Sequence, residues 1–318
     1  LTTAQLGALT TAMVSGLTAS QLAGLSITQI KGLTAAAVSA LDGGQFSALS
    51  TAQLAALTAT QIKGLTAADV SELTATELGA LTPTQLSALT PAAIGGLNEE
   101  RIAQLTTTQV KGLTAVFLGS LNTAQLNALT DSQVKALTNT ALLGLKPAQI
   151  AELTSSQLKG LLPTQLAALT VTQIKGLTAE QIGVLSPAQL NGWTATQLGG
   201  LTAGMVAGLT ATQLAGFSTA QTRNLSASVI SALSADQFAA LSAAQLAALT
   251  ATQIKGLTAT DVSELTGTGM AALAATQLAA LTAGAIAGLS EEQIAALTTT
   301  QFKGLTASQV GSLSNAQL

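Results

Sequence analysis

The 318-residue chain has no cysteine, no histidine and no tyrosine, and only one tryptophan. Without cysteine it forms no disulfide and offers no thiolate to a metal, and its redox compartment is left undetermined. With histidine also missing, no base stands ready for a Ser or Thr nucleophile in the usual arrangement. Charge is scarce as well. Asp, Glu, Lys and Arg make up 8% of the chain, the net charge is −3 and the calculated pI is 4.9, which argues against the basic footprint of a nucleic-acid binder. No apolar run approaches the roughly 18 residues of a membrane span. Mean hydropathy is positive, at +0.51, because Leu and Ala are abundant rather than contiguous. No phosphate-cradling glycine loop occurs, so the sequence implies no cofactor and no metal.

What the chain does contain is one eight-residue sentence, repeated. Cut before Leu1 it reads LTTAQLGA, LTTAMVSG, LTASQLAG, LSITQIKG, and so on without insertion or deletion: 39 full octads and a partial fortieth. A fixed short period means a repeat architecture in which each unit packs mainly on its neighbours. Position one is Leu in 38 of 40 octads, with Trp193 and Phe217 replacing it. Position two is Thr, Ser, Asp or Asn in 37, the exceptions being Lys146, Leu162 and Ala274. Position five is Gln in 27, and position six is apolar in all but Thr222.

These rules spell a helix start. The position-two hydroxyl is an N-cap acceptor. Gln three residues later closes a capping box, and the apolar residues at positions one and six form a hydrophobic staple. All five prolines (Pro83, Pro91, Pro147, Pro163 and Pro187) occupy position three, the first helical residue, where a missing N–H costs least. Another cap follows eight residues later, so each helix holds about six residues, roughly 9 Å of rise. So short a helix is unstable alone and must bury its apolar pair against other units. Sixteen of 29 glycines sit at position eight and seven at position seven, sites where a left-handed helix end is expected. A β-solenoid is the main rival, since Thr-x-Thr strings are common. Positions one and six have opposite parity, however, and would face opposite sides of a strand. Richness in Ala and Gln also disfavours strands.

A second period lies beneath the first. Glycine closes 13 of 19 complete even octads and three of 20 odd ones; 11 of 14 acids lie in odd octads and eight of 11 basic residues in even ones. This alternation predicts an all-α solenoid of very short capped helices, one per octad and two per 16-residue turn. Longer periods are present too. The Lys-Gly octads starting at Leu57, Leu105, Leu153, Leu249 and Leu297 fall on a 48-residue grid, which leaves coils of three, four or six octads per turn open. Residues 1–126 align without gaps onto 193–318 with 83 identities, so a block has been duplicated. No linker or composition shift divides the chain, and residues 1–318 read as one uninterrupted repeat domain. The first octad resembles every other and the last stops in mid-unit, as expected of an interior stretch of a longer protein.

Few residues invite a chemical role. The pairs Glu99-Glu100 and Glu291-Glu292 begin helices, where the dipole favours anions; a calcium or glycosidase pair is the rival reading. Asp69 with Glu72, and Asp261 with Glu264, read as surface decoration. Trp193 reads as a filled core site. The octad Phe217 to Asn224, FSTAQTRN, is the most aberrant and reads as a degenerate repeat rather than a binding site. Lys63, Lys111, Lys159, Lys255 and Lys303 share position seven of even octads on the 48-residue grid and form a candidate assembly edge for lateral or end-to-end self-association.

Two resemblances can be stated. Leu81-Thr82-Pro83-Thr84-Gln85-Leu86 is similar to the start of the first helix in transcription-activator-like effector repeats. The base-reading loop and second long helix of that family are missing, so DNA binding is not implied. The LTxxQ-aliphatic octads throughout the chain resemble repeat tracts of very large bacterial secreted or surface proteins. That resemblance implies a bacterial extracellular or cell-surface setting and nothing enzymatic. The expected function is a non-catalytic spacer, stalk or fibre-forming scaffold. The alternative is a regular surface of Thr and Gln that binds polysaccharide or ice.

Overall fold

The computed structural model describes residues 1–318. Thirty-nine helices of four to six residues run from Thr3–Gly7 to Ala307–Val310, one in each complete octad, and there is no strand. The capping box is what starts each of them. At Thr58 the backbone is extended (φ −74°, ψ 156°); its Oγ1 accepts from Gln61 N–H at 3.3 Å while Gln61 Oε1 accepts from Thr58 N–H at 2.8 Å. All five prolines stand at the first helical turn, as expected. Where position two lacks an acceptor, half the box survives. Gln149, Gln165 and Gln277 still accept from the backbone N–H of Lys146, Leu162 and Ala274, at 2.8, 2.7 and 2.8 Å.

The chain forms two compact units, Leu1–Leu161 and Leu162–Leu318. Within each, a helix packs against the third helix before and after it. In the first unit Thr3–Gly7 lies on Ile27–Gly32, and Ala59–Lys63 lies on Pro83–Ala88; in the second, Ala251–Lys255 lies on Ala275–Ala280. The packing repeat is therefore three octads, 24 residues, and not the two octads and 16 residues that the odd–even alternation suggested. The reason is in the corners. The helix Thr51–Ala56 runs into two extended residues, Leu57 (φ −55°, ψ 134°) and Thr58, and three corners of this kind bring the chain back over itself. The 48-residue grid thus spans two turns.

Positions one and six line the interior. Leu57 is 4% exposed and Ile62 fully buried. Burying such a side chain stabilises by about 1.5–3 kcal/mol, so the isolated helices are held by one another. Trp193 and Phe217 fill the same site as the leucines they replace. Thr222 is fully buried too, and its hydroxyl donates to Ser218 C=O at 3.1 Å, which lets a polar side chain sit in an apolar place without breaking the helix Thr219–Asn224.

The glycines are not there for left-handed backbone. No glycine, and no other residue, has positive φ. At several of them the role is close approach between turns. A methyl group added at Gly144 would lie 1.9 Å from Ala115 C=O, and one at Gly208 would lie 1.8 Å from Ala179 C=O. Gly144 and Gly208 ride directly on the first helical residue one turn earlier, so at these places the smallest side chain is required by the neighbour and not by the local conformation.

Candidate interaction surface

The glutamine at position five does more than cap. It is buried in nearly every turn, and its amide N–H groups reach back to the preceding turn. Gln61 Nε2 donates to Ile30 C=O and Leu33 C=O, both at 2.8 Å; Gln85 Nε2 donates to Leu54 and Leu57 at 2.7 and 2.8 Å. The second unit repeats this, with Gln253 Nε2 donating to Thr222 at 2.8 Å and Leu225 at 2.7 Å. The acceptors fit the need. Leu33 C=O lies at a corner, outside the helical ladder, and a buried carbonyl left there without a donor would be costly. One side-chain amide therefore seals the start of its own helix and the corner beneath it.

Three acids occupy this same position, and Asp69 and Asp261 among them are not surface decoration. Asp261 is buried, accepting from the N–H and hydroxyl of Thr258 at 2.6 and 2.9 Å. Asp69 accepts from Thr66 N–H at 2.7 Å and from the Ser39 hydroxyl, one turn away, at 3.0 Å. Glu77, likewise buried, accepts from Thr74 N–H at 2.6 Å. The pairs Glu99-Glu100 and Glu291-Glu292 do begin their helices, Glu99–Gln104 and Glu291–Ala295. Glu100 accepts from Gln104 Nε2 at 3.1 Å. No cluster of three or more carboxylates forms that could hold a metal ion.

A three-octad turn sorts the charges differently from odd and even octads. Each unit has three helix stacks, each built from every third octad. In the first unit one stack carries Lys63, Lys111, Lys135 and Lys159, with Asp131 its only acid. Another carries Asp42, Asp69 and Glu72 and no cation, and the third is mixed. In the second unit Lys255 and Lys303 share a stack with Glu180, while Asp236, Asp261 and Glu264 occupy one without cations. The five lysines singled out from the sequence thus stack together within their units, and all are exposed. Lys135 joins them. It escaped notice because it lies in an odd octad and precedes Ala136 rather than glycine; a 24-residue frame would have found it.

Comparison with known proteins adds little. No protein-family model matches the chain, and no curated protein matches it. Among solved structures, the leucine-rich repeat-containing protein LegL7 from Legionella pneumophila aligns over 72% of this chain and 77% of its own, at 14% identity and a TM-score of 0.18. A likeness that low carries no argument about fold or function.

Proposed function

We propose that the chain is a non-catalytic structural repeat segment, a spacer or scaffold within a larger bacterial protein at the cell surface or outside the cell. The observation that carries this reading is the glutamine clamp, repeated from turn to turn with the same partners. A structure whose turns are joined by one recurring bond set is suited to bearing load and setting distance. The missing histidine, cysteine and tyrosine, and the placing of acids at helix starts, point the same way. A flat threonine lattice for ice is less well supported. The position-two hydroxyls are engaged in the capping boxes, as where Thr58, Thr82 and Thr106 also donate to their glutamine Oε1 at 3.1, 3.0 and 3.1 Å.

Single-molecule pulling tests the proposal. A chain of like turns should release length in regular steps of one turn. Twenty-four residues at about 3.4 Å each give steps of roughly 80 Å. Rupture of each unit in one all-or-none event would refute the modular spacer.

A further inference from the structure

The lysine stack of the first unit is continuous over five turns. Helices Ala59–Lys63, Pro83–Ala88, Thr107–Lys111, Asp131–Ala136 and Ser155–Gly160 each pack on the next. At position seven they carry Lys63, Ser87, Lys111, Lys135 and Lys159. At position four they carry Thr60, Thr84, Thr108, Ser132 and Ser156, all exposed. Residues three apart on a helix are surface neighbours, so each ammonium stands beside a hydroxyl. Helix layers stack about 8–10 Å apart, so Lys111, Lys135 and Lys159 recur at that interval and the strip from Lys63 to Lys159 extends roughly 32–40 Å. Asp131 is the one acid along it; it accepts from the Ser156 hydroxyl at 2.7 Å and lies one helical turn before Lys135.

We propose that this strip binds an acidic polysaccharide, laid along the stacking direction with its anionic groups on the lysines and its sugar hydroxyls on the Thr and Ser row. A linear polymer with a charge at regular intervals is the ligand that a linear row of cations fits. Hydroxyls beside the charges suit a sugar better than a bare polyanion. A second copy of the chain fits less well. The cation-free stack of the first unit holds its three acids within two turns, and two of them are already acceptors: Asp42 for Gln45 N–H at 2.8 Å, and Asp69 for Thr66 N–H and Ser39. Nucleic acid is disfavoured by the net charge of −3 and by the shortage of aromatic rings on which bases could stack.

The test is binding of the full chain to alginate, with neutral dextran and polyglutamate as controls, at about 0.01 M salt and again at about 0.15 M, where the screening length falls from about 30 to about 8 Å. Wild type should bind alginate at low salt, bind polyglutamate several-fold more weakly and not bind dextran. Replacing three exposed lysines, Lys111→Gln, Lys135→Gln and Lys159→Gln together, should weaken alginate binding at least tenfold while the helical circular dichroism is unchanged. Asp131→Asn should strengthen it. No alginate binding at low salt, or equal binding by the triple variant, would overturn the proposal. Equal affinity for polyglutamate would remove the sugar from it. Lysine-dependent self-association without alginate binding would replace it with the second-copy reading. The pulling experiment is unaffected by any of these results, so the spacer reading and this one fail separately.

Discussion

Gln61→Met removes the clamp at one place and leaves a side chain of similar length. Gln61 is 2% exposed and its side chain makes four bonds, of which the Thr58 hydroxyl's can be replaced by water and the other three weighed individually. Ile30 C=O is not orphaned, because it also accepts from Leu33 N–H at 3.2 Å. Leu33 C=O and Thr58 N–H do lose their partners. A buried polar group left without one costs about 1–3 kcal/mol, and Thr58 lies near water, so the sum is about 2–4 kcal/mol. In a repeat protein that cost shows as local opening of the turns concerned rather than as loss of the whole. Hydrogen exchange of peptides covering residues 30–34 and 57–65 should therefore accelerate by about 30-fold to about 700-fold, at 1.4 kcal/mol per factor of ten. Gln61→Glu keeps the acceptor for Thr58 but removes the two amide donors, and should fall between wild type and Gln61→Met. Exchange within twofold of wild type in both peptides of Gln61→Met would show that the amide bonds are dispensable and that apolar packing alone joins the turns.

Glu77→Gln should stabilise the first unit by about 0.5–1.5 kcal/mol, the net worth of a typical hydrogen bond. The amide would keep the Thr74 bond and offer donors to Phe46 and Leu49, the counterparts of the carbonyls that Gln61 and Gln85 reach; a lower melting temperature would contradict this. Leu57→Ala should cost about 2–5 kcal/mol and Thr58→Ala about 0.5–2 kcal/mol, both measured by denaturant unfolding of the first unit's signals. Equal costs would mean that position one is not core. Gly144→Ala should destabilise by about 1–3 kcal/mol because its methyl meets the Ala115 backbone, whereas Gly79→Ala, with nothing within 4 Å, should stabilise its helix by about 0.5–1 kcal/mol. Thermal melts showing the same sign for both would refute close approach as the reason for glycine.

The local half of the structure was legible because its causes are local. Thr58 and Gln61 are three residues apart, and the capping box, the staple and the proline site all act within one octad. The number of octads per turn was not legible, because the contacts that decide it join residues about 28–31 apart. Gln61 carried no outward mark of its second role, since capping already accounted for its presence. The odd–even rhythm of glycine then favoured a two-octad turn, although the 48-residue grid divides equally well into two turns of three. Lys135 was lost for the same reason: the frame that pairs it with Lys111 and Lys159 is a turn, not an even octad. Asp261 was misplaced because an acid in a weakly charged repeat reads as surface until the turn beneath it is known.

The clamp also has a direction. Gln61 donates to residues 28 and 31 positions earlier, as do Gln85, Gln109 and, in the second unit, Gln253 and Gln309. In each of these pairs the acceptor is made first. A nascent chain leaving the ribosome would therefore meet, with every new octad, a corner whose carbonyls are already in place, and would need no residue still to be synthesised. The separation between partners stays near thirty residues however many turns are added, so folding from the amino terminus need not slow as the array lengthens. Growth by duplication, such as the recurrence of residues 1–126 at 193–318 in this chain, then adds length without adding a harder search.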